Sequence, residues 1–391
     1  MTSRAVTGMT LFDGTGAAPL SDASVVWSGD RIEYAGPSAA APIDGAEVIA
    51  AGGHLLPGLI DSHVHLCFDG TLDGVDDIST EPLDMVRRRA MEGARILLAA
   101  GITTARDQGS REGVAIDVAA AQRSGELDGA RILAAGRGIT PSGGHGWMIG
   151  VEADGPQAVA AAVTAEIERG ADVIKLFPTG GVLGSGAHGF DLVMSAEELE
   201  AAVAVAHEAG LLIGAHVHGR PGIDAALAAG IDTIEHATDI TTEQALRSAD
   251  QGVALVPTLA AIDLLLPHGD SVSADLLTRA SEVRDTQAAG IARAIEAGAT
   301  VLPGTDAGTP FNPVGNLVHE METLADLGLG KEGVIHAATG GAAAILRRTD
   351  LGVLERGRTA DMIVVDDDPR RGLATLRRPR IVIQDGVPIS D

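Results

Sequence analysis

Residues 208–216, EAGLLIGAH, pass from a helix-ending Ala-Gly pair into an apolar run that stops on a histidine. The same grammar returns at 228–236, AAGIDTIEH, and at 296–306, EAGATVLPGTD. Glycine just past the last helical residue supplies the left-handed turn that closes a helix, and a short apolar run bounded this way reads as a buried strand. Outward from these stretches, apolar runs alternate with helical patterns from about residue 58 to 348, the order expected of repeated βα units around a parallel sheet. Eight strands are predicted, near 58–66, 102–107, 132–138, 172–179, 211–218, 233–237, 253–259 and 300–306, with helices such as 83–100, 195–209 and 276–297 between them. Eight such units close into a (β/α)8 barrel of about 250 residues. The flanks differ, because ASVVWSGDRIEYAG, AEVIAAGGHLL, ADMIVVDDDP and PRIVIQDGVPI are short alternating strands broken by turns. The expected architecture is α/β: a TIM barrel over 57–348, and a discontinuous small β-sandwich domain built from 1–56 and 349–391.

Composition narrows the function. The 391 residues are 45% hydrophobic and 21% charged, and no apolar run reaches the 18 residues that a membrane span needs, so a soluble protein is expected. The opening residues hold no apolar stretch before a small-residue cleavage site, which predicts a cytoplasmic location. With 28 basic and 54 acidic residues, the formal charge of −26 repels phosphate backbones and argues against nucleic-acid or membrane partners. Cys67 is the single cysteine, which rules out an internal disulfide and suits a small buried packing role.

Chemistry-bearing residues gather at the predicted strand ends. His63 and His65 close the first strand, and a period of two puts both imidazoles on one face, which at the C-terminal end of a barrel strand points into the mouth. His216 and His218 repeat the pattern on the fifth strand, His236 ends the sixth, and Asp306 ends the eighth. Lys175 falls in the interior register of the fourth, where a protonated amine is costly to bury. It pairs there with a barrel carboxylate, or it carries CO2 as a carbamate that bridges two metals. Each motif alone is short enough to arise by chance, but their joint placement at the same ends of strands one, four, five, six and eight is not.

PGLIDSHVHL, DVIKLFPTGGV, GAHVHG, IDTIEHA, VPTL and GTDAGTPFNP together resemble the binuclear branch of the amidohydrolase superfamily. They are most like its imidazolonepropionase-like and prolidase-like group, which includes Xaa-Pro and Xaa-Arg dipeptidases and ochratoxin-hydrolysing amidases. The likeness covers nearly the whole chain, including LGVLERGRTADMIVV at the return from the barrel. It implies a metal-dependent hydrolase with two divalent ions. His63, His65 and Asp306 would hold the first, His216 and His236 the second, and carboxylated Lys175 would lie between them. Zinc fits these ligands best, with manganese or cobalt as alternatives. A metal-bridging hydroxide would attack the amide carbonyl, Asp306 would move the proton, and His218, free of metal, would stabilise the oxyanion. The family pattern also brings His145, in GGHGW, to the substrate and implies a homo-oligomer. Trp147 replaces the His or Asp usual there, and GVLGSGAHGFDLVMS departs from the family's longer loop, leaving the role of 180–194 open and His188 as a surface or lid residue. The expected substrate is a small-molecule amide, a dipeptide or an N-acyl amino acid. A cyclic amide or lactone is the rival, and a non-catalytic metal-binding barrel the reading from another class. His54, His207, His268, His319 and His336 lack the strand-end register and are expected to be structural.

Overall fold

The computed structural model describes residues 3–182 and 189–389. Its chain divides into two compact units, one gathering Met1–Asp61, Arg95–Thr104 and Gly315–Asp391, the other Ser62–Ala94 and Ala105–Val314.

Eight chain segments take the barrel positions. Leu59–Val64, Ile102–Asp107 and Arg131–Ala134 are hydrogen-bonded in that order. A six-stranded parallel sheet runs Gly150–Glu152, Gly138–Thr140, Val173–Leu176, Leu212–His218, Thr233–Thr238 and Ala254–Val256. The two runs join where Asp172 N donates to Ala134 O at 2.8 Å.

Two expected strands are less regular than the sequence suggests. The third divides into Arg131–Ala134 and Gly138–Thr140, because Gly136 turns at φ +72° and Arg137 swings to the buried Glu166. The eighth, 300–307, forms isolated parallel bridges from Val301 to Leu255 and from Ala307 to Val64. Pro303 has no N–H to donate and interrupts the ladder. The barrel still closes there, since Leu255 N donates to Thr300 O and Ser62 N to Pro303 O.

Helix boundaries sit close to their expected places, at Leu83–Ala99, Ala196–Glu208 and Ala274–Glu296. The second starts with a full capping box, Ser195 receiving Glu198 N while Glu198 receives Ser195 N, which satisfies two N–H groups that a helix start leaves unpaired. Among the described residues, no helix is long and apolar enough to cross a membrane.

In the other unit the chain ends share one hydrogen-bonded path. Its order is Val387–Ile389, Ile381–Gln384, Met362–Val365, His54–Pro57, Arg4–Leu11, Leu20–Ser28 and Arg31–Pro37, with Glu47–Ala51 also paired to Arg4–Leu11. Trp27, Met9, Ile32, Leu55, Met362 and Ile383 bury their side chains in one core. Trp27 Nε1 and Arg4 both donate to Gly386 O, so the sheet folds back to bring Arg4–Leu11 and Leu20–Ser28 against the turn before Val387–Ile389.

Candidate metal centre

Backbone strain marks the mouth of the barrel. His236, Ala237, Thr258 and Asp306 all take positive φ, at 70°, 49°, 57° and 57°, at the ends of the sixth, seventh and eighth barrel segments. Side-chain-bearing residues hold such angles only when their surroundings enforce them, which is characteristic of functional sites.

The first group is His63, His65 and Asp306, all buried. His63 Nε2 lies 3.3 Å from His65 Nε2, and Asp306 Oδ1 stands 3.3 and 3.4 Å from these two atoms. The outer ring nitrogens are already committed. His63 Nδ1 donates to Glu235 at 2.8 Å and His65 Nδ1 to the Gly109 carbonyl at 2.8 Å, which aims both Nε2 atoms at the carboxylate. Three ligand atoms roughly 3.3–3.4 Å apart match the edges of a tetrahedron around a zinc-sized ion bonded at about 2.0–2.1 Å. Burial pushes the His65 imidazole down to about 3, so it stays neutral and able to ligate.

Behind His63 stands a relay the sequence did not signal. Glu235 also receives Arg106 Nη2 at 2.8 Å and Thr233 Oγ1 at 2.6 Å, and Arg106 binds the Ser62 carbonyl. All of these charges are fully buried. Burial opposes the ionised carboxyl, but Arg106 and His63 outweigh it and hold Glu235 down to about 2. Gly214 makes the room, since a Cβ there would come within 2.9 Å of Glu235 Oε1. In sequence, Glu235 and Arg106 look like ordinary strand charges; only barrel closure brings strands two and six to strand one.

His216, His218 and His236 form the second group, also buried. The His216 and His236 rings lie 4.4 Å apart, and His236 is 5.4 Å from His63. His216 Nε2 donates to Gly180 O, leaving Nδ1 as its free ligand atom. Thr258 Oγ1 donates to Pro257 O and can therefore accept from His236 Nδ1 at 2.6 Å, leaving Nε2 free. His218 Nδ1 pairs with Thr238 Oγ1 at 2.8 Å. Burial first, then the neighbouring imidazoles, keep His216 well below the usual histidine range, and burial and His145 bring His218 to about 3.

Lys175 sits on the fourth strand opposite Gly214, 1% exposed, and among the described residues its Nζ has no hydrogen-bond partner. Burial lowers its amine to about 8 against the pull of Glu235 and Asp306. Among the described residues, Lys175 is therefore not hydrogen-bonded to a barrel carboxylate, as the paired-lysine alternative would require.

A cavity opens over these groups, lined by His65, His145, His216, His218, His236 and Asp306. Its remaining wall is largely apolar, with Phe68, Met148, Ile149, Ile262 and Leu265. His145 lies against His216, ring centroids 4.4 Å apart, and Trp147 is half exposed beside it in the chain. Cys67 is buried, with its thiol pushed far up by burial and Asp107, and it does not line the cavity. His188 lies outside the described residues. His207 pairs with Asp232 at 3.0 Å and His336 with Gly14 O at 2.9 Å, and neither lines the cavity.

A barrel whose strand ends bring a His-His-Asp group and a three-histidine group to one cavity has the constitution of a metal-dependent hydrolase. Residues 54–387 match the amidohydrolase family. Ochratoxinase of Aspergillus niger is 28% identical over 400 residues, 93% of this chain and 81% of that one. Imidazolonepropionase of Streptomyces griseus is 30% identical over 388 residues, 91% and 88% of the two chains. A solved Xaa-Pro dipeptidase, with methionine bound in its active site, superposes with a TM-score of 0.91 at 29% identity and covers both chains fully. The chain belongs to the amidohydrolase family, and it is a hydrolase.

Proposed function

We propose that this hydrolase cleaves the C–N bond of an exocyclic amide, such as a dipeptide or N-acyl amino acid, using two divalent ions. The observation that carries the reading is the convergence of both ligand groups on one cavity, together with the buried Nζ of Lys175, which has no hydrogen-bond partner among the described residues. His63, His65 and Asp306 would hold one ion, and His216 and His236 the other. Lys175 would bridge them after its neutral amine adds CO2, forming an N–C bond and releasing one proton. The ions, with zinc the best fit to these ligands, supply Lewis acidity and bring a water molecule's ionisation towards neutral pH.

The chain's own residues do the rest. Asp306 accepts the proton of the attacking water and delivers it to the departing nitrogen as the C–N bond breaks, leaving a carboxylic acid and an amine. His218, receiving Thr238 Oγ1–H at Nδ1, is left with an Nε2–H to donate to the developing oxyanion. Glu235 and Arg106 hold His63 in its tautomer. The apolar wall formed by Phe68, Met148, Ile262 and Leu265 favours substrates with an apolar group, and His145 is positioned to touch them.

The likeness to imidazolonepropionase supports a second reading, a cyclic amide or lactone substrate. Metal analysis of the purified protein, coupled to a mass-spectrometric screen of dipeptides, N-acyl amino acids, cyclic amides and lactones, separates the two. Release of a free amino acid is the expected result, ring opening without fragmentation favours the rival, and no turnover of any amide or lactone overturns both.

A further inference from the structure

Gln287 reaches the cavity from the helix Ala274–Glu296, far in sequence from the strand-end ligands, and is 1% exposed. Its Nε2 donates to the carbonyls of His236 at 2.8 Å and Pro257 at 2.6 Å. Both N–H bonds are therefore used, and the amide cannot flip without turning its oxygen against two other oxygens. Among the described residues the remaining atom, Oε1, is buried and has no hydrogen-bond partner. A buried acceptor left unpaired is costly, and native proteins keep few of them. Gln287 shares the lining of the cavity with the apolar Ala261, Ile262 and Leu265.

We propose that Gln287 Oε1 is a substrate-binding group that accepts an N–H of the substrate, so the cavity selects compounds with an amide N–H set against an apolar group. Gln287 then has two linked duties. Its nitrogen fastens the strained ends of the sixth and seventh strands, and its oxygen reads the ligand. A site built around a fixed acceptor discriminates strongly against an isostere lacking the donor, because the acceptor would stay buried and unpaired. This deepens the amide reading above and rests on it for the bond that breaks, but its test is one of binding.

Dissociation constants of N-benzylhexanamide and its ester isostere, benzyl hexanoate, are measured by calorimetry on the metal-loaded Asp306→Asn protein, in which hydrolysis is suppressed. The amide is expected to bind roughly ten- to hundred-fold more tightly. Adding Gln287→Met, whose folding is checked by circular dichroism and metal content, should bring the ratio close to one. A purely structural Gln287 would change both affinities alike and leave the ratio alone. Equal binding of the two compounds, no binding of either, or a ratio that survives Gln287→Met overturns the proposal; the first two outcomes need only the native glutamine. Amide-selective binding without hydrolysis by the native chain would sink the amidase reading and leave the recognition role standing.

Discussion

In the proposed scheme Asp306 combines ligation with proton transfer, and an amide in its place would keep an oxygen for the metal while losing the base. Asp306→Asn should lower kcat/KM by roughly 10²–10⁴-fold with metal content largely retained, as measured by elemental analysis beside steady-state kinetics. Lys175→Ala should instead lower metal content, and added acetate or propionate should restore part of the activity by standing in for the carbamate. Rescue equal in the native protein and the variant would count against the carbamate. Glu235 gives a pH signature. Its folded value lies near 2 against 4.5 unfolded, so its contribution to stability is complete above 4.5 and is lost as pH falls towards 2. Glu235→Gln leaves Arg106 without its buried anion and should cost about 3–5 kcal/mol at pH 7. Urea titrations should find that deficit shrinking as pH drops below 4.5, whereas a deficit constant from pH 7 to 2.5 would contradict the ionic role.

At the scale of strands, the eighth segment is where geometry is tightest. Gly304 packs on His63, where a Cβ would sit 2.8 Å from His63 Cβ and 2.4 Å from a Val256 methyl carbon. Gly304→Ala should therefore displace His63 and weaken metal binding by at least about tenfold, read by competition with a chromogenic chelator. Ser195→Ala, at a helix start away from the cavity, is the contrasting case and should cost about 1 kcal/mol without affecting metal affinity. What the sequence made legible follows the same division. His63, His65, His216, His218, His236 and Asp306 could be placed because strand periodicity and strand ends are local properties of the chain. The break at Gly136 and the bridged course of 300–307 depend on what the neighbouring segments require. Arg106, Glu235 and Gln287 acquire meaning only from partners on other elements of the barrel, so no local pattern could mark them.

Over the whole molecule, two ions anchored to strands one, four, five, six and eight would tie the barrel across its diameter. A chelator should abolish activity and lower the midpoint of thermal unfolding, and zinc, manganese or cobalt should restore both, because a ligand that binds only the folded state stabilises it by mass action. An unchanged midpoint in metal-free protein would contradict that coupling. The net charge of −26 should make the loss steeper at low ionic strength, where acidic side chains repel one another most.

The pairing of Leu55 with Val364 and Leu56 with Ile363 joins segments translated about 300 residues apart. A ribosome must complete the intervening chain before His54–Pro57 finds that neighbour, so the early strands wait with an open edge while later segments emerge. A nascent chain halted before Met362 should stay sensitive to protease near Leu55 and prone to self-association, and extension past Ile389 should end both.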